Sequence, residues 1–318
     1  MDRTINYQIT EEADGLRIEQ FLRHHGYSYQ NITQLKKMPE SILKNGVWEY
    51  MRSLLATGDI LTVHIQENES SPNIPPVELP LSIIYEDEDI LVVNKPAGMP
   101  IHPSLNNYEN SLANGLMWYY TEQGKPFIFR CSNRLDRDTS GLTIVAKHAV
   151  SAAILGQMVR AKAEQGLKAP GIHRTYLAIV EGKVMPVSGV IDAPIARQED
   201  RCLCRVVDFK RGDRAMTHYR VLTAWQTGSA QKFRSLVKLQ LETGRTHQIR
   251  VHMASIQHPV AGDPVYGPHN CITSLHGQCL HAKTLGFVHP ITGEHLRFDS
   301  ELPEYFTRFL ATLRRGNV

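Results

Sequence analysis

No apolar run in the 318-residue chain approaches the length needed to span a bilayer. The opening residues, Met1 to Asn6, lead into acidic Glu11, Glu12 and Asp14 without the apolar core of a signal peptide, so a cytoplasmic protein away from the membrane is expected. The five cysteines, Cys131, Cys202, Cys204, Cys271 and Cys279, form neither an even disulfide framework nor paired C-x-x-C zinc ligands. They read as reduced thiols. Fifteen histidines invite a metal, yet His247 and His252 stand five apart around an arginine and no carboxylate or cysteine completes a set. No metal site is expected. A formal net charge of +3 is too small to argue for a nucleic-acid partner, which leaves only local clusters to carry such a case.

What remains is an ordinary globular composition, 42% hydrophobic and 21% charged, without internal repeats or low-complexity tracts. Residues 1–68 read as a small unit. Leu16, Ile18, Phe21 and Leu22 mark a short helix, Asn45-Gly46 a turn, and Ile60 to Ile65 a strand after Gly58-Asp59. Arg17, Arg23, Lys36, Lys37, Lys44 and Arg52 suggest a basic bias, either a solvated face or an RNA contact. Four prolines, Pro72, Pro75, Pro76 and Pro80, make residues 69–80 a semi-rigid linker.

The larger domain, 81–318, opens with strands at Ser82–Tyr85 and Ile90–Asn94, then helices at 111–120 and 148–162. From Arg174 short β-type runs dominate, at 176–180, 189–191, 205–209, 217–222, 235–241 and 295–298, with a helix at 249–255. Alternation such as Val237-Lys238-Leu239-Gln240-Leu241 suits an antiparallel sheet with one covered face. The class is α+β, a mixed and largely antiparallel sheet with bordering helices.

The densest stretch is Asn133-Arg134-Leu135-Asp136-Arg137-Asp138-Thr139-Ser140-Gly141-Leu142. Asp138 to Gly141 has turn chemistry, short polar side chains ahead of a glycine. If the residues before the turn are extended, Arg134, Asp136 and Asp138 share one face, with Leu135 and Arg137 on the other. A carboxylate between two arginines stays ionised, available as nucleophile or base or as one member of a structural ion pair.

This segment resembles the central motif of the RluA-type pseudouridine synthases. Glu86 to Gly98 with His102-Pro103, then Arg174-Thr175-Tyr176-Leu177-Ala178 with Glu181-Gly182, Thr243 to His252, and Leu280-His281-Ala282 are similar to the family's other motifs, in its order. The resemblance implies the pseudouridine synthase fold and a uridine in ribosomal or transfer RNA as substrate, isomerised without a cofactor; no obligatory protein partner is evident in the sequence, which leaves the oligomeric state open, a monomer included. It implies Asp136 as the catalytic carboxylate, Arg250 as its partner and Tyr176 as the aromatic residue against the flipped base. Arg134 matches the residue that fills the vacated stack. Lys95, His247 and Arg174 are carried over as substrate-binding positions, Lys95 shaping the cleft floor or meeting a phosphate and His247 orienting the loop before Arg250. The N-terminal unit resembles the alpha-L RNA-binding domain of the ribosomal protein S-four type.

The family commonly has histidine where Asn133 stands and lysine where Arg174 stands. A further basic cluster, Arg197, Arg201, Arg205, Lys210, Arg211 and Arg214, is open to phosphate contact or to a solvated face. The loop 163–173 reads as a local elaboration. Two rivals share these features: an RNA-binding protein that kept the fold without catalysis, and an RNA glycosidase that releases uracil.

Overall fold

A computed structural model describes residues 1–167, 170–199, 204–227, 232–267, 272, 275 and 277–315. The N-terminal unit is a four-stranded sheet with two helices. Its strands are β1 (Asp2–Gln8), β2 (Ile42–Lys44), β3 (Val47–Trp48) and β4 (Ile60–Gln66), in the antiparallel order β1-β4-β2-β3. Helices α1 (Ile18–His24) and α2 (Tyr29–Lys37) bury Ile18, Phe21, Leu22, Ile32 and Leu35 against it. Ser28 caps α2 by accepting the Asn31 N–H, while the Asn31 side chain reaches back to the Ser28 N–H. The basic bias read from the sequence does not hold for this unit. It carries seven lysines and arginines against nine aspartates and glutamates, and Arg23 and Lys36 both pair with Glu19 while Lys44 faces Asp59.

The unit is fastened to the rest of the chain. Val150 and Ile154, from helix α4 introduced below, complete its apolar core. Arg3 grips Asp89 through two hydrogen bonds of 2.7 and 3.1 Å, and Arg130 grips Glu67 through two of 2.8 and 2.9 Å. Residues 69–80 do not behave as a spacer either. Ser70 and Ser71 hydroxyls accept the N–H groups of Phe127 and Phe129, Asn114 donates to the Pro75 carbonyl, and Ile74 and Leu79 pack on the main core. The prolines remove donors that an extended, surface-bound segment does not need.

The main sheet has ten strands among the described residues. In chain order they are β5 (Ile83–Glu86), β6 (Ile90–Lys95), β7 (Arg130–Cys131), β8 (Ser140–Ala146), β9 (His173–Glu181), β10 (Ser188–Asp192), then β13 (Met216–Thr227), β14 (Lys232–Leu241), β15 (Leu280–Val288) and β16 (His295–Asp299); a separate ribbon, β11 (Ile195–Arg197) with β12 (Arg205–Val207), stands off it. The order is β10-β13-β14-β9-β15-β8-β6-β5, with β16 beside β15 and β7 beside β8. Only the β8–β15 pair is parallel among these, so the sheet is mixed and largely antiparallel.

Helices α3 (Leu112–Thr121), α4 (Ala149–Gln165), α5 (Gln248–Ser255) and α6 (Glu304–Arg314) border this sheet. Its centre is covered on both faces, which is why β6 and β8 are continuously apolar. Ile90, Val92, Leu142, Ile144 and Ala146 point into one core and Leu91, Val93 and Val145 into the other. Gly141 stands where β8 meets β15: its φ is +112°, and a Cβ there would lie 2.3 Å from the Ala282 carbonyl oxygen. That close approach brings the loop before β8 over the ends of β9 and β15. No helix among the described residues is long and apolar enough to cross a membrane.

Candidate active site

Asp136 lies in the loop between β7 and β8, where the Thr139 N–H donates to its backbone carbonyl at 3.1 Å and starts the turn. The expected alternation holds for Arg134, which is exposed, and Leu135, which is buried. It stops there. Arg137 turns outward and closes a two-point pair with Asp138, both bonds 2.9 Å, instead of flanking Asp136. The cation beside Asp136 is Arg250, whose Nη1 donates to Oδ2 at 3.1 Å. Burial works against the charge of Arg250, but the carboxylates around it hold its pKa above the ordinary arginine value.

Arg250 comes from α5, where Gln248 to Met253 are all buried. The loop before it is pinned by Gln248, whose Oε1 accepts from the Thr243 hydroxyl at 2.8 Å and the Arg245 N–H at 2.9 Å. His247 takes a left-handed conformation at φ +57° to start the helix, and its Nδ1 lies 2.8 Å from the Tyr266 hydroxyl. Burial lowers its pKa. His252 is saturated, Nδ1 on Thr217 and Nε2 on the Ala193 carbonyl, both at 2.8 Å.

Tyr176 and Arg174 descend from β9. Together with Asp136, Leu241, His247, Ile249, Arg250 and Leu280 they line a slot of about 50 Å³. Tyr176 is largely core, yet its ring forms part of the slot wall. Arg174 is also buried, against Gly244, and its Nε has no hydrogen-bond partner among the described residues. The residue lines both the slot and one of the wider spaces beside it. Asn133 is turned the other way. Its Oδ1 accepts the Ile144 N–H at 2.8 Å, which stitches the loop to β8.

Of the two roles open to Lys95, phosphate contact is excluded by its burial. It is completely buried, and its Nζ donates to the carbonyls of Pro96, Met99 and Arg137 at 2.8, 2.7 and 3.0 Å. Burial pushes its pKa down to about 7, opposed by Asp136 and Asp138. All three donors are spent on loop backbone, so it holds the Asp136 loop from beneath and meets no phosphate.

The slot opens into two wider basins. One, of about 480 Å³, is lined by residues 100–104 and 131–136 and by Arg174. The other, of about 390 Å³, is bordered by Arg134, Arg197, Arg205, Arg211 and Arg245, with Asp213 the carboxylate among the described residues that line it. Arg134 and Gly244 to Arg245 border all three spaces, which places Arg134 at their junction. Lys210 is not among the basin's lining residues; Arg214 instead pairs with Glu242, and Arg201 lies outside the described residues.

Sequence reading missed Asp263 and Tyr266. Asp263 receives Arg250 Nε and Nη2 at 2.7 and 2.9 Å, and the Tyr266 ring lies 5.1 Å from the Arg250 guanidinium. Neither carries a charge pattern visible along the chain, because their partner sits on a different element.

A family model described as RNA pseudouridylate synthase matches residues 89–255. An uncharacterized RNA pseudouridine synthase of Bacillus subtilis, YlyB, is 38% identical across 98% of this chain and 99% of its own. The ribosomal large subunit pseudouridine synthase D of Zymomonas mobilis is 42% identical over 77% of this chain and 76% of its own. Among solved structures, human RNA pseudouridylate synthase domain containing 4 aligns with a TM-score of 0.56 at 25% identity, covering 73% of this chain and 93% of that one.

Proposed function

Since the chain belongs to the RluA-type RNA pseudouridine synthases, isomerases that act on RNA, we propose that it converts a uridine of ribosomal RNA to pseudouridine, with Asp136 as the catalytic carboxylate. Large-subunit RNA is the favoured substrate because several relatives are named for it; transfer RNA is the alternative. The observation that carries the reading is the Asp136–Arg250 contact at the mouth of a slot walled by Tyr176.

Isomerisation breaks the bond from ribose C1′ to N1 of the base, turns the uracil and joins C1′ to C5; the C5 hydrogen leaves to water and N1 takes up a proton in exchange. No electrons enter or leave, so residues alone can serve, with no cofactor. The nucleotide must first leave its stack. Arg134, at the junction of slot and basins, fills the gap with a flat cation. Tyr176 backs the extruded base, Arg174 supplies a donor, His247 sets the start of α5, and Arg250 pairs with Asp136 and keeps it aimed. The arginine basin tracks the flanking phosphates.

The N-terminal unit adds a second RNA contact in this reading, as an alpha-L type domain in a cytoplasmic protein. Its acidic balance argues against phosphate tracking there. Exposed Trp48 and Tyr50, with ring centroids 5.1 Å apart and Arg52 near the Tyr50 ring, support base stacking instead.

The test is tritium release from RNA labelled at uracil C5, taken from cells lacking the protein, with wild-type chain and Asp136→Asn. Wild-type release with the base still attached, and none from the variant at RNA affinity within a few fold, is expected. Turnover by Asp136→Asn at the wild-type rate would remove the carboxylate from the mechanism.

A further inference from the structure

We propose that Asp263 is a positioning residue for the reaction: it holds Arg250 by two points so that the third edge of the guanidinium is presented to Asp136. This rests on the assignment of Asp136 as the catalytic carboxylate.

Three observations converge on Asp263. Its carboxylate is fully buried and accepts Arg250 Nε at 2.7 Å and Nη2 at 2.9 Å, the two-point geometry in which a guanidinium is least free to turn. Oδ1 also accepts the N–H groups of Val265 and Tyr266 at 2.9 and 3.1 Å, so the carboxylate cannot swing away with the arginine. The turn that carries it is tied to β9, the strand of Tyr176. Val260 bridges Val180, and the Ala261 N–H donates to the Ile179 carbonyl at 2.8 Å. Asp263 is thereby set relative to the same wall that receives the base.

The charge arrangement matters as much as the geometry. One guanidinium stands between two carboxylates, but the sharing is unequal. Asp263 is buried and bound to Arg250 at two points, whereas Asp136 has 23% of its side chain exposed and, among the described residues, a single 3.1 Å bond. With Asp263 neutralising Arg250, Asp136 can turn toward substrate, or lose its charge by bonding to substrate or taking a proton, without abandoning a buried unpaired cation. The Tyr266 ring closes the remaining face of the guanidinium, and its hydroxyl joins His247 and the Arg205 N–H of β12. Asp136, Arg250, Asp263, His247 and the arginine-bearing ribbon therefore form one connected set.

The experiment is steady-state tritium release by Asp263→Asn across pH, with Asp136→Asn as the inactive reference and thermal melting as the fold check. The charges facing Asp136 are Arg250, His247 and, from below, Lys95. Removing the Asp263 charge is expected to lower kcat by roughly 100-fold with KM changed less than about threefold, because the contact serves alignment. It should also move the acid limb of the profile to lower pH, since the full charge of Arg250 then falls on Asp136. A wild-type kcat, or a lowered kcat with an unmoved acid limb, would overturn the proposal. Should the Asn variant not fold, Asp263→Glu keeps the charge while displacing it. It should leave the limb in place and still lower kcat at least about tenfold; full activity in that variant would overturn the proposal equally. If Asp136→Asn itself is active, the underlying assignment fails rather than the role of Asp263.

Discussion

Arg250 and Asp136 stand 114 residues apart in the chain and meet through one hydrogen bond of 3.1 Å. The bond exists because two unrelated pieces of backbone converge: a turn closed before β8 and a helix launched from the left-handed His247. Its strength is less informative than its asymmetry, since Arg250 is committed elsewhere by two shorter bonds.

Replacing Arg250 by Leu should do two things at once. Activity should vanish, and stability should fall by about 3–5 kcal/mol because Asp263 is left buried without its cation. Urea denaturation of Arg250→Leu checks the second effect independently of the first. An unchanged midpoint and slope would mean that the buried pair contributes nothing to folding.

Lys95 and Arg245 should separate structure from RNA contact. Lys95→Met leaves three loop carbonyls without their donor, each costing on the order of 1–3 kcal/mol if no water replaces it. Its salt dependence of RNA binding should match wild type. Arg245→Ala, at the edge of the arginine basin, should instead weaken binding and reduce the salt slope by about one. Filter binding at several salt concentrations distinguishes the two.

Lys162 offers a pH test of stability. It is buried on α4, its Nζ donates to the Ile172 carbonyl at 2.9 Å, and burial, with Arg174 nearby, pushes its pKa down to about 7. Between that value and the ordinary lysine value the unfolded chain holds a proton that the native chain does not, so the penalty is full below about 7 and fades as pH rises. The melting temperature of Lys162→Met relative to wild type should therefore be more favourable at pH 6 than at pH 9. A difference independent of pH would show that Lys162 titrates normally.

Removing residues 1–68 should expose Val150 and Ile154, which the N-terminal unit covers. Burying such side chains is worth about 1.5–3 kcal/mol each. The truncated chain is expected to bind a hydrophobic dye and to aggregate, and serine at both positions should relieve this. A truncated chain that stays monomeric and dye-free with Val150 and Ile154 intact would show that the interface is dispensable.

Much of the scaffold was readable along the chain. The buried strand after the central turn, the helices at 112–121 and 149–165 and the Lys232–Leu241 strand follow from local apolar patterns. Helix α6 was equally readable, with Phe306, Phe309, Leu310 and Leu313 at helical spacing, but was not anticipated. Strand β1 and helix α2 were missed too; their polar majorities hide the few residues that face the core.

By itself the sequence determined the family, the α+β class and the residue types gathered at the cleft, because motif order and hydrophobic periodicity are properties of the chain as written. Only the tertiary structure decided which charges meet. Arg137 was next to Asp136 and went to Asp138, Lys95 was open to the cleft floor or a phosphate and spends its donors on loop carbonyls, and Asp263 emerged as the chief partner of Arg250. The physical reason is range: periodicity is set by neighbours a few residues away, whereas an ion pair depends on where whole strands and helices place their ends.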